Sequence, residues 1–360
     1  MATTGVLYQE IASYIETGIE NGKFNPARRL PSDMELARKF SASRPTVVRA
    51  MIELQNKGLI ERRAGSGTYI RAREPASQGK SPQSVAIIAE GLEHTELLAP
   101  ICEEITRQCV SRGLTLVSGD GGGDVKGVVA LAEALVARGV DGVFFAPLEL
   151  GADRSAVNRR VVDILTAAGA AIVLIDRDLG DFPARSEFDL VGIDNFAAGY
   201  ELGRHLTGSL RKRIVFLARP SYPGTTDLRM AGVREAASRT PGAAVTLRVG
   251  DPGDVGFVGG ILSGDAPDVI VCSNDRTAAL LMQSLTKLNR RVPSGVAVAG
   301  FDDVRYATLL SVPLTTMRQP CHEIGVVAAE LMADRLAGRA LPARLVTLAA
   351  TLIARESTAS

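Results

Sequence analysis

The spacing of apolar residues predicts three helices near the amino terminus. An apolar side chain recurs at every fourth position from 7 to 19, which predicts the first helix. Ser32 and Glu35, three positions later, form a capping box, so a second helix is expected directly after Ser32. Ser43 is a second N-cap, and Pro45 is compatible with a first turn because its missing N–H would have no partner there. A third helix is therefore predicted from about residue 44.

The third predicted helix has two different faces. Its apolar face consists of Val47, Ala50, Met51 and Leu54. Its other face carries Pro45, Arg49 and Asn56, with Arg44 and Thr46 at the leading end. Two short helices, of which the second is basic at its amino terminus, describe a helix-turn-helix whose second helix enters the DNA major groove.

A hairpin is predicted after these helices. Residues 59–63 and 68–71 read as strands, and Gly65-Ser66-Gly67 has the composition of a hairpin turn. The hairpin acts as a wing, so residues 1–73 are predicted to form a winged helix-turn-helix domain. The polar stretch 74–83, rich in Pro, Gly and Ser, is predicted to be a linker.

From residue 84 the pattern changes to short apolar runs that alternate with amphipathic helices. Strands are predicted in two groups, at 85–89, 114–117, 142–146 and 171–175, and at 190–193, 213–218, 245–249, 269–272 and 296–300. Apolar strands separated by helices are typical of parallel sheets covered on both faces. The fold class is therefore α/β, with two doubly wound lobes and a ligand site at the carboxyl ends of the strands.

Charge is distributed unevenly along the chain. The net charge of all 360 residues is +1, but residues 1–73 contain 12 Lys and Arg against 7 Asp and Glu, which leaves a slightly acidic remainder. A basic head on an acidic body is typical of a DNA-binding module joined to another domain. The alternative is that the extra arginines only keep a small domain soluble.

Cysteine and histidine give no sign of a cofactor or metal. The four cysteines form no CxxC pair and the three histidines are far apart in sequence, so buried free thiols in a reducing cytosol are expected. The chain has no apolar leader and no apolar run long enough to span a bilayer. A cytoplasmic protein without cofactors or membrane contacts is therefore predicted.

Residues 5–73 resemble the winged-helix head of GntR-type bacterial regulators. The segments that carry the resemblance are Arg29-Leu30-Pro31-Ser32, Glu35-Leu36-Ala37, Ser43-Arg44-Pro45-Thr46-Val47 and Arg63-Ala64-Gly65-Ser66-Gly67-Thr68-Tyr69. The resemblance implies a homodimer that binds double-stranded operator DNA. The residues expected to contact DNA are Ser32, Ser43, Arg44, Pro45, Thr46, Arg49, Arg63, Gly65, Ser66 and Gly67.

One residue of the third helix departs from this family. The family usually has arginine directly after the Thr-Val pair, whereas this chain has Val48 there and Arg49 next. The contact that the family makes with this arginine is then either transferred to Arg49 or lost.

Residues 84–356 resemble the effector domain of LacI/GalR-type repressors, a periplasmic-binding-protein-like fold. The segments that carry the resemblance are Ile175-Asp176-Arg177, Ile193-Asp194-Asn195 with Gly199, Leu228-Arg229-Met230-Ala231-Gly232, Ser273-Asn274-Asp275, Gly300-Phe301-Asp302-Asp303, and 313–320. It implies an effector-binding and dimerisation domain over 84–360, with a three-strand hinge near 177–189, 302–313 and after 340. The implied lobes are 84–176 with 314–340, and 190–301 with 341–356. Head and body together resemble the arabinose-repressor architecture.

The resemblance implies a sugar-like effector. Polyol hydroxyls donate and accept hydrogen bonds, so carboxylates, amides and guanidinium groups suit them. The positions implied to line the cleft are Asp176, Arg177, Asn195, Arg229, Asn274, Asp302 and Gln319, with Asp275 close behind and Tyr222 on a nearby loop. Three alternatives stay open: Asp302 or Asp303 caps a turn before the crossover, Arg229 is a solvated helix residue, and Asp176 pairs with Arg177.

Aromatic residues are scarce where pyranose-binding relatives have them. Such relatives place aromatic residues after the first strand, whereas the matching stretch 94–100 contains Thr95 and Leu97, two further candidate contacts, and no Phe, Tyr or Trp. Without stacking, a hexose bound in the usual way is not favoured. A smaller polyol, a furanose and a sugar acid remain possible, and two cleft arginines favour some negative charge on the ligand.

Three functions were compared on these observations. The prediction is a ligand-responsive transcriptional regulator, expected to be a repressor, with the direction of the ligand effect left open. A sugar-metabolising enzyme with an accessory DNA-binding head lacks support because no Ser/His/Asp group, Walker motif or metal-ligand spacing is present. The glycine-rich segment 119–124 lacks the Lys-Ser/Thr of a phosphate-binding loop, and a transport receptor would need a signal peptide.

Overall fold

The structure is a computed structural model that divides into two units, 1–81 and 82–360. It describes residues 4–20, 24, 30–56, 60–63, 67–70, 83–89, 96–118, 125–149, 151, 153–180, 183–209 and 211–359. The division falls inside the stretch 74–83 for which a linker is predicted. The predicted contacts Gly65, Ser66 and Thr95 and the glycine-rich segment 119–124 lie outside the described residues.

The amino-terminal unit contains three helices and a hairpin. The helices are α1 (Thr4–Glu20), α2 (Asp33–Lys39) and α3 (Arg44–Asn56), and the antiparallel strands are β1 (Ile60–Arg63) and β2 (Gly67–Ile70). Ser32 caps α2 and the predicted capping box with Glu35 is present, since the Glu35 side chain accepts from the Ser32 backbone N–H at 2.7 Å. Both the winged-helix arrangement and the cap are as the sequence predicts.

The core of this unit is formed by the apolar faces of all three helices. Ile11 and Ile15 of α1 are fully buried together with Leu36 of α2 and the apolar face of α3. This packing leaves the opposite face of α3 at the surface, because the buried residues recur at helical spacing along one side only.

The carboxyl-terminal unit has two lobes, each built on a parallel sheet. The first lobe has the strand order β13-β7-β6-β5-β3-β4 and the second has β11-β10-β8-β9. The strands are β3 (Ser84–Ile88), β4 (Thr115–Ser118), β5 (Gly142–Phe145), β6 (Ala171–Ile175), β7 (Asp189–Ile193), β8 (Arg213–Ala218), β9 (Ala244–Val249), β10 (Val269–Cys272), β11 (Ala297–Ala299) and β13 (Leu345–Leu348). A short antiparallel pair, β12 (Thr316–Arg318) and β14 (Thr351–Ile353), accompanies them.

Besides two short 3₁₀ helices, Arg305–Thr308 and Glu356–Thr358, eight α-helices are described in this unit. They are α4 (Leu98–Ser111), α5 (Val125–Ala137), α6 (Arg154–Ala167) and α11 (Cys321–Leu336), which pack on the first sheet, and α7 (Asn195–Gly208), α8 (Gly224–Ser238), α9 (Val255–Gly264) and α10 (Asp275–Lys287), which belong to the second lobe. In the described ranges, none of the helices is long and apolar enough to cross a membrane.

The sequence assigned strand β7 to the wrong lobe. The sequence predicts β7 as the first strand of the second lobe, but β7 pairs in parallel with β6 of the first lobe. Strand β13, from the segment 341–356 that was also predicted to belong to the second lobe, pairs in parallel with β7 and therefore lies in the first lobe as well. The chain therefore leaves the first lobe after Ile193, where α7 begins and packs against α8, rather than at 177–189. Burial on both sides marks a strand as internal but does not say which sheet contains it.

Close packing between α7 and α8 sets the geometry of the second lobe. A Cβ on Gly199 would collide with the carbonyl oxygen of Arg229, and a Cβ on Gly232 would collide with that of Phe196. Only glycine allows this approach, which brings the first turn of α7 next to the Arg229 side chain.

A buried carboxylate joins strand β7 to helix α11 and to the segment that precedes β13. The side chain of Asp189 in β7 is fully buried and accepts bonds from Arg335 of α11 at 2.8 and 2.9 Å and from the backbone N–H of Arg344 at 2.7 Å. Burial by itself raises the pKa of Asp189, but the bonds from Arg335 and Arg344 outweigh it and lower the pKa to about 2.

We expect Asp189→Asn to reduce the free energy of unfolding by about 2 kcal/mol at neutral pH. Because the folded-state pKa of about 2 lies below the ordinary value of 3.8, the stabilisation is complete above 3.8 and is lost as the pH falls through the folded-state value. Urea unfolding at neutral and acidic pH measures it, with Asp163→Asn on the exposed side of α6 as the control. An equal stability difference at both pH values would contradict the assignment.

Candidate functional site

The exposed side of α3 carries most of the predicted DNA contacts of the recognition helix. Ser43, Arg44, Pro45 and Arg49 are exposed at the start of the helix. Ser43 accepts the first helical bonds through its carbonyl oxygen, from the N–H groups of Thr46 at 3.1 Å and Val47 at 3.2 Å. Arg63 ends β1 and Gly67 begins β2, and these two residues pair in the hairpin.

Two predicted contacts also form hydrogen bonds within the domain. Thr46 is only 6% exposed, since it lies one turn before buried Ala50, and its hydroxyl is 2.8 Å from that of Ser43. Thr46 therefore presents little surface at the start of α3, and its contact with DNA stays a prediction. The Ser32 hydroxyl is engaged in the cap of α2, where it lies 2.8 Å from Glu35 Oε2.

Arg49 packs against the first helix. Its guanidinium carbon lies 4.3 Å from the centre of the Tyr8 ring in α1, which is within the range of a cation–π contact. Arg49, which could replace the arginine that the family has at position 48, therefore lies at the edge of the exposed face of α3.

The two lobes of the carboxyl-terminal unit enclose a cavity of about 460 Å³ at the carboxyl ends of their strands. Of the residues predicted from the sequence, Leu97, Asp176, Arg177, Arg229, Asn274 and Asp302 line it. Residues that directly follow the parallel strands of one sheet meet at the same edge, and here that edge of each lobe's sheet contributes residues to the cavity.

Arg229 is the centre of a buried network on the second-lobe side. It is 5% exposed, and its Nε donates to Asn195 Oδ1 at 2.8 Å and its Nη1 to the Ser273 carbonyl oxygen at 2.7 Å. Its Nη2 lies 3.3 Å from Asp302 Oδ1. The alternative of a solvated Arg229 is excluded by this burial.

Asp302 lies between Arg229 and Gln319. Gln319 Nε2 donates to Asp302 Oδ1 at 2.8 Å, and Asp302 lines the cavity whereas Gln319 does not. Asn195, which bonds to Arg229, lines an adjacent cavity of about 430 Å³ that shares Asp176 and Arg177 with the first. Burial raises the pKa of Asp302 to about 6, although Arg229 acts in the opposite direction. Asp302 has a φ of +112°, a backbone conformation unusual outside glycine.

Asp275 does not line the cavity. It is fully buried, where Oδ1 accepts from the Thr316 hydroxyl at 2.6 Å and Oδ2 from the Val304 N–H at 3.1 Å. Burial, and then the charge of Asp302, raise the pKa of Asp275 well above its ordinary value. This residue therefore fixes the crossover segment between β11 and β12 rather than contacting a ligand.

Asp176 and Arg177 pair with each other, as one alternative from the sequence allowed. Arg177 Nε and Nη2 donate to Asp176 Oδ2 at 2.9 and 2.6 Å. Both residues still line the cavity, and the other oxygen, Asp176 Oδ1, is buried without a hydrogen-bond partner among the described residues.

Asn274 spans the cavity to the first lobe. Its Oδ1 caps α10 through the Thr277 N–H at 2.9 Å, and its Nδ2 donates to Glu149 Oε1 at 3.2 Å. Tyr222 is the remaining predicted contact, and it does not line the cavity; its carbonyl oxygen accepts from Arg154 at 3.0 Å, and burial followed by Asp227 raises the pKa of its hydroxyl.

Several cavity residues with polar side chains were missed, and they are Glu96, Glu149, Arg219, Arg276, Gln283 and Tyr306. Glu149 lies 3.5 Å from Arg177 and 3.9 Å from Arg219. Glu149 follows β5 and Arg219 follows β8, so the rule that identified Asp176 would also have identified these two. Tyr306 comes from a short helix in the second crossover, which no local pattern predicts.

The cavity lining is balanced in charge. Its carboxylates are Glu96, Glu149, Asp176 and Asp302, and its guanidinium groups are those of Arg177, Arg219, Arg229 and Arg276. Among the described residues, no group of three or more His, Cys, Asp and Glu is placed to hold a metal ion.

Two family models match the chain. The model for bacterial regulatory proteins of the gntR family matches residues 7–70, and the model for a periplasmic binding protein-like domain matches residues 204–358. The chain joins a GntR-type domain to a periplasmic-binding-protein-like domain. The exposed face of α3 belongs to the first, and the cavity is the interlobe cleft of the second.

Individual proteins resemble this two-domain chain over most of its length. The arabinose metabolism transcriptional repressor of Geobacillus stearothermophilus is 25% identical over 353 residues, covering 93% of this chain and 91% of that protein. The transcription regulator CcpA of Lactococcus lactis has a TM-score of 0.68 at 18% identity, covering 78% of this chain and 100% of that one.

A further structural neighbour of the periplasmic-binding-protein-like domain contains a sugar. It is a periplasmic binding protein/LacI transcriptional regulator from Alkaliphilus metalliredigens QYMF complexed with D-xylulofuranose, with a TM-score of 0.65 at 19% identity. It covers 77% of this chain and 100% of that one. These structural likenesses establish the fold of the cavity-bearing domain.

Proposed function

We propose that this protein is a ligand-responsive transcriptional regulator that represses by binding operator DNA as a homodimer. The observation that carries the proposal is the joining of a GntR-type DNA-binding domain to a clamshell domain with a polar interlobe cavity. A relative that matches both domains is named a repressor, which favours a regulator over an enzyme. Such a regulator works in the cytoplasm.

The effector is a neutral sugar or polyol. The cavity offers carboxylate and amide acceptors together with guanidinium donors, the groups that a molecule with many hydroxyls needs. Each of the two arginines that favoured an anionic ligand has a carboxylate partner, Arg177 with Asp176 and Arg229 with Asp302. The balanced lining therefore favours a ligand without net charge over a sugar acid.

The size of the effector follows from the scarcity of aromatic side chains. Tyr306 is the single aromatic residue among the described lining residues, so stacking on both faces of a pyranose ring has no support. A furanose or an open-chain polyol, bound mainly by hydrogen bonds, fits this lining better. The furanose in one structural neighbour agrees with this choice.

Coupling to DNA depends on a difference in affinity between two arrangements of the lobes. A ligand that bonds to residues of both lobes, such as Asp176 and Asp302, favours the closed arrangement. In a homodimer, closure changes the spacing of the two DNA-binding heads and with it the affinity for a two-fold symmetric operator.

A thermal-shift screen tests the ligand class. Ribose, xylulose and xylitol are compared with ribonate and xylonate, which carry a carboxylate on the same carbon skeleton. We expect a neutral compound to raise the melting temperature and the matched acid to have little effect. A response confined to the acids would contradict the proposed ligand class, and turnover of a stabilising compound would favour the enzyme alternative.

A further inference from the structure

We propose that the recognition helix α3 reads thymine methyl groups through an apolar stripe formed by Pro45, Val48 and Ile52. The inference rests on the proposed DNA-binding function and concerns the kind of base that this function selects. Thymine is recognised because it is the base whose major-groove edge carries a methyl group.

The stripe lies on the side of α3 opposite the domain core. Its members are spaced i, i+3 and i+7, so they form one row along the helix. Val47, Ala50, Met51 and Leu54 are fully buried on the other side, whereas Pro45 is exposed, Ile52 is 50% exposed and Val48 is half-buried. The centre of the surface that a recognition helix presents to the groove is therefore apolar here.

The polar side chains near the stripe are Thr46 and Arg49, which have partners within the domain, and Arg44 and the exposed Gln55 towards its two ends. The Arg49 guanidinium lies over the Tyr8 ring, and the hydroxyl of the buried Thr46 lies 2.8 Å from that of Ser43. Arg44 is exposed at the leading end of the helix, one turn before Val48. Arg44 is positioned to contact a guanine or a phosphate, and the next positions along the groove are left to the Val48 and Ile52 side chains.

The chemistry favours thymine at those positions. A methyl group removed from water against an aliphatic side chain contributes about 0.8 kcal/mol, which corresponds to roughly a four-fold change in affinity. Cytosine presents an amino group to the same part of the groove, and an aliphatic side chain would leave that donor without a partner. The stripe therefore selects for thymine and against cytosine.

The test uses the full-length protein and DNA that it selects itself. A random-sequence duplex library is enriched for binders, and each thymine of the selected duplex is then replaced in turn by deoxyuridine, which lacks only the methyl group. We expect replacement of each contacted thymine to weaken wild-type binding roughly four-fold. Replacement of the other thymines is expected to leave the affinity unchanged.

Val48→Ala separates a lost methyl contact from a damaged head. At the thymine that Val48 contacts, Val48→Ala is expected to bind the thymine and deoxyuridine duplexes with equal affinity. Val48→Thr keeps one methyl group and the shape of valine, so it is expected to retain part of the wild-type preference for the thymine duplex. A variant that is merely less stable would lose affinity for both duplexes by the same factor.

Two results would overturn the inference. One is that the wild-type protein selects a preferred DNA sequence but loses no affinity when any thymine of that sequence is replaced by deoxyuridine. The stripe would then not read methyl groups, although the proposed function would survive. If the library is not enriched at all, both the stripe and the proposed DNA-binding function fail.

Discussion

Replacing Arg229 by methionine is expected to lower the free energy of unfolding of the periplasmic-binding-protein-like domain by about 3–5 kcal/mol. Methionine keeps much of the length of the side chain but removes the charge and all three hydrogen bonds to Asn195, Ser273 and Asp302. Asp302, whose pKa is already raised by burial, is then left in a largely buried position without its cation and must keep an uncompensated charge or take up a proton, which is the costly part of the change. Urea unfolding followed by circular dichroism measures the loss.

The matched control for this prediction is the double variant Arg229→Met with Asp302→Asn. Removing the unpaired charge together with the arginine is expected to recover a large part of the stability, because the desolvation cost of the carboxylate disappears. A single variant that loses less than about 1 kcal/mol would show that the Arg229–Asp302 contact is an exposed ion pair in solution.

Replacing Arg44 by alanine is expected to weaken operator binding by roughly 5- to 150-fold while leaving effector binding unchanged. Arg44 is the exposed basic residue at the first position of α3, where a recognition helix reaches the base edges. Fluorescence anisotropy with a labelled operator measures the affinity, and isothermal titration with the effector shows whether the cavity is unaffected.

Arg138→Ala provides the control for Arg44→Ala, since it removes the same charge from an exposed position after α5 in the other domain. We expect this variant to bind operator like the wild type at matched salt concentration, because Arg138 lies outside the DNA-binding domain. If the Arg44 variant bound the operator with the same affinity as the wild type, the proposal that the start of α3 contacts DNA would be contradicted.

Features determined by neighbours in sequence were predictable. The capping box of Ser32 and Glu35 depends on residues three positions apart, and the alternation of apolar strands with helices reflects burial that each segment undergoes by itself. Polar residues directly after strands, such as Asp176 after β6 and Asn274 after β10, could be placed at the carboxyl edges of the two sheets, and the resemblance implied that both edges line one cleft.

Features that depend on partners distant in sequence were not predictable. The pairing of β7 with β6 rather than with a second-lobe strand, and the stacking of Arg49 on Tyr8, depend on tertiary contacts that leave no local pattern. Thr46 illustrates the limit on one helix: its type and position suit a DNA contact, but its place one turn before Ala50 turns it inward.

Glu149 and Asp275 show the same limit in the cavity. Glu149 satisfied the rule of a polar residue after a strand but had no motif to draw attention to it, and it contacts both Arg177 and Asn274. Asp275 had the motif, but the side chain turns away from the cavity to Thr316 and Val304. The resemblance identified the segment that contains Asp275 correctly, but only the structure shows in which direction the Asp275 side chain points.

The most direct measurement is the dissociation constant of the full-length protein for its selected operator, with and without a saturating concentration of the compound that raises its melting temperature. A ligand that distinguishes the two lobe arrangements by 1–3 kcal/mol changes this constant by roughly 5- to 150-fold, and a change of that size is the result we predict. An unchanged dissociation constant, with the compound shown to be bound, would contradict the proposal that the cavity controls the DNA-binding domain.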